Sequence, residues 1–223
     1  SRPLRSLAGA SSSAASGVGP QPTGYIVDSE AGLRQSLMLL LGMRGYRTQG
    51  VASADELLAA ARADARGCAI IDMRLDGVDG MQLMARLRER DVKIPVLFIS
   101  SQADVATARA ALKGGAFDYL PKPIDNDRLA EVVAAAVAED RRRWEGALQA
   151  ARLRQRLARL TQRERQVMQH VVAGLHNREI AVELGISPRT VEVYKARMME
   201  KLQCRSIAEA VRIAVAAADN GTT

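Results

Sequence analysis

Five short apolar runs alternate with five amphipathic stretches between residues 24 and 140. The runs are GYIV, RTQGV, CAII, PVLFIS and FDYLP. The stretches are EAGLRQSLMLLLGMRG, SADELLAAARA, GMQLMARLRER, DVATARAALKGG and IDNDRLAEVVAAAVAED. Strand followed by helix, five times over, leaves little choice. Parallel strands cannot be joined by tight turns, so each helix crosses back over the sheet and covers one of its faces. The expected fold is a five-stranded, parallel, doubly wound α/β sheet of flavodoxin-like type. SADE supplies a helix start, with Ser53 as cap and Glu56 three residues on. Gly45, Gly67 and Gly114–Gly115 are expected where helices stop. Aromatic residues make up only 3% of the chain, so the cores must be built from Leu, Val, Ile, Ala and Met.

Beyond Glu139 the helical pattern does not break. EDRRRWEGALQAARLRQRLARL contains no Pro and one Gly. Trp144, Leu148 and Ala151 recur at helical spacing, and Leu153, Leu157 and Leu160 do so on a shifted frame. Residues 141–158 therefore read as a linker helix with an apolar stripe, either a short coiled coil or a helix packed on its own domain. The remaining segment, 159–223, reads as four helices. TQRE is a capping box from Thr161 to Glu164, NREIAVEL closes at Gly185, and SPRTVEVYKARMMEKL opens on Ser187 and Pro188. SIAEAVRIAVAAA is the fourth. Two helices joined through a glycine, the second rich in cations, match the helix-turn-helix pattern.

Charge follows the same division. Residues 1–140 carry 16 Lys/Arg against 17 Asp/Glu, whereas residues 141–223 carry 16 against 8. A basic second part points to a polyanionic partner. Residues 1–23 are rich in Ser, Ala, Gly and Pro, without the apolar core of a secretory signal, and read as a disordered arm or expression remnant. No run approaches the roughly 18 apolar residues of a membrane span. Cys68 and Cys204 fit no metal spacing and read as two buried thiols in a reducing cytoplasm rather than as a disulfide.

The strand ends carry the chemistry. The first strand runs into Asp28, the third ends on Asp72, the fourth on Ser100, and the fifth is followed by Lys122 within PKP. In a parallel sheet all four converge on one edge, the usual site of function. They offer a nucleophilic carboxylate, an acidic partner for a cation, a hydroxyl and a fixed ammonium. This set suits phosphoryl transfer to a carboxylate, with Mg²⁺ and Lys122 neutralising the phosphoryl oxygens.

The motifs YIVDSE, AIIDMRLDGVDGMQL and IPVLFISSQADVATARAALKGGAFDYLPKP resemble the receiver domain of bacterial two-component response regulators, over residues 24–140. LTQRERQVMQHVVAGLHNREIAVELGISPRTVEVYKARMMEKL resembles the helix-turn-helix of the LuxR family. Together they look like a NarL/FixJ-type regulator. The resemblance implies that Asp72 is the phosphoacceptor and that Asp28 holds Mg²⁺. Arg74 would offer the metal its backbone carbonyl, and Lys122 would bind a phosphoryl oxygen. Ser100 would be the switch hydroxyl, with Tyr119 following it. It also implies a sensor histidine kinase as partner and a homodimer formed on activation through the face of residues 104–140. No independent substrate turnover is expected.

Two positions depart from the family pattern. Ser29 stands where a second acid usually ligates Mg²⁺ directly, and Asp76 stands where Pro is usual. Weaker Mg²⁺ binding is expected, because fewer charged ligands weaken such sites. Glu30 belongs to the start of the following helix, where an acid is favoured by the dipole. A phosphatase of the haloacid-dehalogenase type would need an acid two residues after Asp72, where Arg74 stands. For double-stranded DNA, Glu192, Val193 and Ala196 occupy the family's base-reading positions, Glu as an acceptor from cytosine and Val against a thymine methyl. Arg189, Thr190, Lys195 and Arg197 are expected on phosphates, with Asn177, Lys201 and Arg205 adding backbone contacts. Binding is expected as a dimer on two half-sites. Two other readings stay open: a phosphate-independent transcription factor, and an adaptor that no longer binds DNA.

Overall fold

The computed structural model describes residues 21–102 and 104–219. The expectation of a disordered arm falls on residues 1–23, of which 1–20 lie outside the described residues. The described chain divides into two compact units, one ending at Arg141 and the other beginning at Arg142.

In the first unit, β1 (Thr23–Val27), α1 (Ala31–Met43), β2 (Arg47–Val51), α2 (Ala54–Ala60) and β3 (Gly67–Asp72) follow in turn. A two-strand hairpin, β4 (Arg74–Leu75) and β5 (Val78–Asp79), leads into α3 (Gly80–Glu89). Then come β6 (Val96–Ser100), α4 (Val105–Lys113), β7 (Asp118–Pro121) and α5 (Asn126–Ala158), of which the part up to Arg141 belongs to this unit. The sheet is parallel throughout, in the order β2-β1-β3-β6-β7. The order reverses between β1 and β3, which makes the carboxyl edge there the switch point of the fold.

Side-chain alternation with period two builds two cores from one set of strands. Tyr25, Val27, Ala69, Ile71, Val96 and Phe98 face Leu57 and Leu58 of α2 and Leu83 and Leu87 of α3. Ile26, Cys68, Ile70, Leu97 and Ile99 face Leu37 and Leu41 of α1 and Leu129 and Val133 of α5. Burial on both sides is why these strands read as continuous apolar runs. Both cysteines are free. Cys68 is buried, and burial pushes its thiol up to about 12. Cys204 is only half-buried, its thiol donating to the Met199 carbonyl, so the expectation of two buried thiols holds for one of them.

One expected helix stop is a correction. α2 ends at Ala60, and Gly67 opens β3 with φ +112°. A Cβ on Gly67 would run into the Thr23 backbone, and Thr23 N–H donates to Arg66 O across this approach (2.8 Å). The glycine is needed for strand entry, not for helix exit. Ser53 does cap α2, accepting from Glu56 N–H. Glu56 Oε2 reaches the Ala52 N–H rather than that of Ser53, so the reciprocal half of the capping box is displaced by one residue.

The second unit holds α6 (Gln162–Val172), α7 (Asn177–Leu184), α8 (Pro188–Leu202) and α9 (Ile207–Asp219). α6 packs on α8 and α9, and α7 packs on α8. Val167, Val171, Ile180, Ala181 and Val191 form one core. Leu160, Met198, Leu202 and Ala210 form another, with Leu157 against it. The stripe at the end of the linker stretch is thus spent on packing against its own unit.

Candidate functional site

Backbone pairing brings the strand ends level. Val27 is opposite Ile71, Asp72 opposite Ile99, and Ser100 opposite Pro121. Asp28, Asp72, Ser100 and Lys122 therefore stand along one edge. Lys122 is held by its own backbone, N–H to Ser100 O (2.7 Å), and precedes a cis peptide to Pro123. Its ammonium donates to Asp28 Oδ2 at 2.9 Å and to Asp72 Oδ2 at 2.5 Å. Burial alone would lower the Lys122 pKa. Hydrogen bonds to Asp72 and Asp28 outweigh burial and raise it. Asp28 is only 1% exposed. Its other oxygen accepts from Glu30 N–H (2.8 Å), and the second oxygen of Asp72 accepts from Arg74 N–H (2.9 Å). Both carboxylates are fixed at both oxygens.

Ser100 is buried, and its hydroxyl is engaged by Gln102, donating to O (3.2 Å) and accepting from N–H (3.1 Å). Tyr119 donates its hydroxyl to the same Gln102 carbonyl (2.6 Å). The two side chains thus share one acceptor. No residue-level cue marks Gln102 in this part, because any residue can lend a carbonyl. Ser29 and Asp76 are exposed. Glu30 caps α1 through its backbone, and its side chain makes no cap bond. Arg74 turns its guanidinium to Ser101 Oγ (3.3 Å).

Mg²⁺ favours oxygen ligands, few carboxylates and retained water. Asp28 and Asp72, drawn together on Lys122, offer carboxylate oxygens of that chemistry. Among the described residues no group of three or more His, Cys, Asp or Glu gathers as a metal site. The fit is to a cation held by two acids.

In the second unit, Gly185 ends α7 at φ +64°, and Ser187 caps α8, accepting from Thr190 N–H (3.1 Å). Pro188 takes the first helical position. Val191, Met198 and Leu202 point inward with no exposure. Arg189, Glu192, Val193, Ala196 and Arg197 are exposed, while Thr190 and Lys195 are half-buried. Lys195 Nζ donates to Asn177 Oδ1 (2.9 Å), so α7 steadies this side chain of α8. Arg205 has an exposed side chain, with its N–H on Glu209.

The family model "Response regulator receiver domain" matches residues 25–134, and "Bacterial regulatory proteins, luxR family" matches residues 158–214. The transcriptional regulatory protein FixJ of Bradyrhizobium diazoefficiens is 38% identical over 193 residues, covering 86% of this chain and 94% of that protein. The chain belongs to the response regulators. It has a receiver domain and a LuxR-type helix-turn-helix, as a DNA-binding regulator of the FixJ type. The transcriptional regulatory protein TdiR of Thauera aromatica is also 38% identical, over 84% of this chain and 83% of its own. The solved structure of the response regulator StyR matches with a TM-score of 0.82 at 33% identity, covering 87% of this chain and 98% of that one.

Within this response regulator, Lys201, expected on the DNA backbone, meets an acid of its own unit. Its ammonium donates to both oxygens of Glu164 (2.9 and 2.7 Å). Glu164 is 2% exposed and also completes the capping box with Thr161. Burial would raise the Glu164 pKa, but Lys201 and the Thr161 hydrogen bonds together lower it. Its contribution to stability is then complete above about pH 4.5, the ordinary Glu range, and is lost as pH falls through the lowered value. Lys201→Met should cost the second unit about 2 kcal/mol at pH 7, allowing for its partial exposure, and Glu164→Gln should flatten the acid limb. Urea denaturation of that unit between pH 3 and 7 checks both.

Proposed function

We propose that Asp72 accepts a phosphoryl group from a sensor histidine kinase and that this controls dimerisation and DNA binding. The observation that carries the reading is the Lys122 ammonium bridging Asp28 and Asp72 at the switch point of the sheet. An oxygen of Asp72 would attack phosphorus as the phosphorus–nitrogen bond of phosphohistidine breaks. Lys122 would move from the carboxylates to a phosphoryl oxygen and offset its charge. Mg²⁺, held through Asp28, Asp72 and the Arg74 carbonyl, would supply charge neutralisation when bound, with Ser29 contributing at most a neutral oxygen. Ser100 would leave the Gln102 carbonyl for a phosphoryl oxygen, and Tyr119, bonded to that same carbonyl, would respond. Residues 104–140 would pair two receivers.

The division we propose is a receiver at 24–140, a linker helix at 141–158 and a DNA-binding domain at 159–223. Glu192, Val193 and Ala196 would read bases in the major groove. Arg189, Thr190, Lys195, Arg197, Asn177, Lys201 and Arg205 would hold the phosphate backbone, with the regulator acting in the cytoplasm on paired half-sites.

A second reading, DNA binding independent of phosphate, draws on Ser29, exposed where the family carries an acid. One comparison separates them: DNA affinity against salt concentration, for wild type and Asp72→Asn, with and without a small-molecule phosphodonor and Mg²⁺. The proposal expects the donor to raise the affinity of wild type about tenfold or more, as a second half-site becomes engaged, and to leave Asp72→Asn unmoved. Equal affinities in all four arms would establish the phosphate-independent reading.

A further inference from the structure

The site that lacks an acid at position 29 carries a cation nearby that the chemistry above does not use. Arg34, on the first turns of α1, folds back over β2 and donates to Asp28 O at 2.6 Å and to Ser29 O at 3.5 Å. Its stem crosses Gly50, where a Cβ would lie 3.0 Å from Arg34 Cγ and 3.2 Å from Cδ. A side chain at residue 50 would crowd this path. The guanidinium therefore rests against the carbonyls of the turn that presents Asp28.

The charges around this edge are few. Asp28 and Asp72 are negative and share the Lys122 ammonium. Arg34 stands behind the Asp28–Ser29 turn, and Arg74 stands over Ser101. Glu30 and Asp76 are exposed to solvent, and Asp79 is engaged in capping α3. Asp28 and Asp72 thus share the Lys122 ammonium, and Arg34 sets a second cation against the Asp28 carbonyl, where Ser29 offers no charge to offset it.

We propose that Arg34 is a positioning residue of the phosphoryl site: it pins the Asp28–Ser29 turn and sets a permanent positive charge beside Asp28 that disfavours the divalent cation and favours the anionic phosphoryl group. The proposal rests on the reading of Asp72 as phosphoacceptor. It assigns to this chain a site balanced toward the anion, in which fixed protein cations take over part of the work of the metal. The direction of the effect separates it from a purely structural role. A turn that merely loosened without Arg34 would hold a cation less well. A turn relieved of a neighbouring positive charge holds it better.

The test uses the full chain with Mn²⁺ as an oxygen-seeking paramagnetic probe, titrated by electron paramagnetic resonance without any phosphodonor. Arg34→Met is expected to bind Mn²⁺ roughly threefold or more tightly than wild type, by an amount that shrinks as salt rises. Arg34→Lys, which keeps the charge, is expected to stay near wild type. Ser29→Asp, which adds a charged ligand, is expected to bind about tenfold or more tightly. Should Arg34→Met prove poorly folded, Arg34→Gln carries the same expectation with one carbonyl still held. Unchanged or weaker binding in the neutral variants, with Ser29→Asp tight, would overturn the role of Arg34 alone. Failure of Ser29→Asp to bind, or binding unaffected by Asp72→Asn, would overturn the phosphoryl-site reading itself.

Discussion

Lys122→Met should lower the stability of the receiver unit by about 3 kcal/mol at neutral pH and abolish its response to a phosphodonor. The loss has a simple origin. Asp28 is 1% exposed and Asp72 is largely enclosed, and both address one ammonium. Without it, two carboxylates face each other in a low-dielectric pocket with only backbone N–H donors to hold them. Removing one of the acids as well should restore part of the loss, so Asp28→Asn in the Lys122→Met background is expected to be more stable than Lys122→Met alone. The pH dependence has a definite sign. The Lys122 pKa is raised, so its contribution is complete below about 10.5, the ordinary lysine value, and disappears as pH rises through the raised one. Urea denaturation at neutral and alkaline pH measures both. An unchanged midpoint for Lys122→Met would mean that the carboxylates do not depend on the ammonium.

The second large effect lies at the opposite edge of the sheet. Asp140, on α5, accepts from Arg66 Nε at 2.8 Å and from Gly67 N–H at 3.0 Å. Both side chains of the ion pair are 7% exposed. Asp140→Ala should cost about 3 to 4 kcal/mol, since it strips a buried guanidinium of this acceptor and orphans the N–H that opens β3. Asp140→Asn, which keeps an acceptor, should cost less. Denaturation gives the totals, and hydrogen exchange at Gly67 gives the local consequence. Wild-type protection of that amide in Asp140→Ala would sink the account.

The two effects differ in how far they could be read from residue order. The Asp28–Asp72–Lys122 cluster is legible because each member sits at the end of an apolar run, and parallel strands level those ends. The Arg66–Asp140 pair joins residues 74 apart, one in a loop and one in mid-helix. No periodicity marks either, and Asp140 looks like one more polar residue on a charged helix. Local rules worked where the backbone alone sets geometry, as with Ser53, Thr161, Ser187 and Gly185. They failed where a tertiary approach decides. Gly67 reads as a helix stop but clears the path of the Thr23 backbone, and nothing in residue order marks the Lys201–Glu164 pair. The small β4–β5 hairpin was missed because two-residue strands carry no alternation to detect.

The alternation that fills two cores also makes spacing as consequential as identity. In β3, Cys68 and Ile70 serve one core and Ala69 and Ile71 the other, and Asp72 comes next. One residue inserted or deleted within this strand would exchange the two sets, sending each side chain into a cavity shaped for its neighbour, and would carry Asp72 away from Lys122. A change of length would therefore be borne in the turns rather than in this strand, and the Asp72 carboxylate is kept opposite Lys122 by counting.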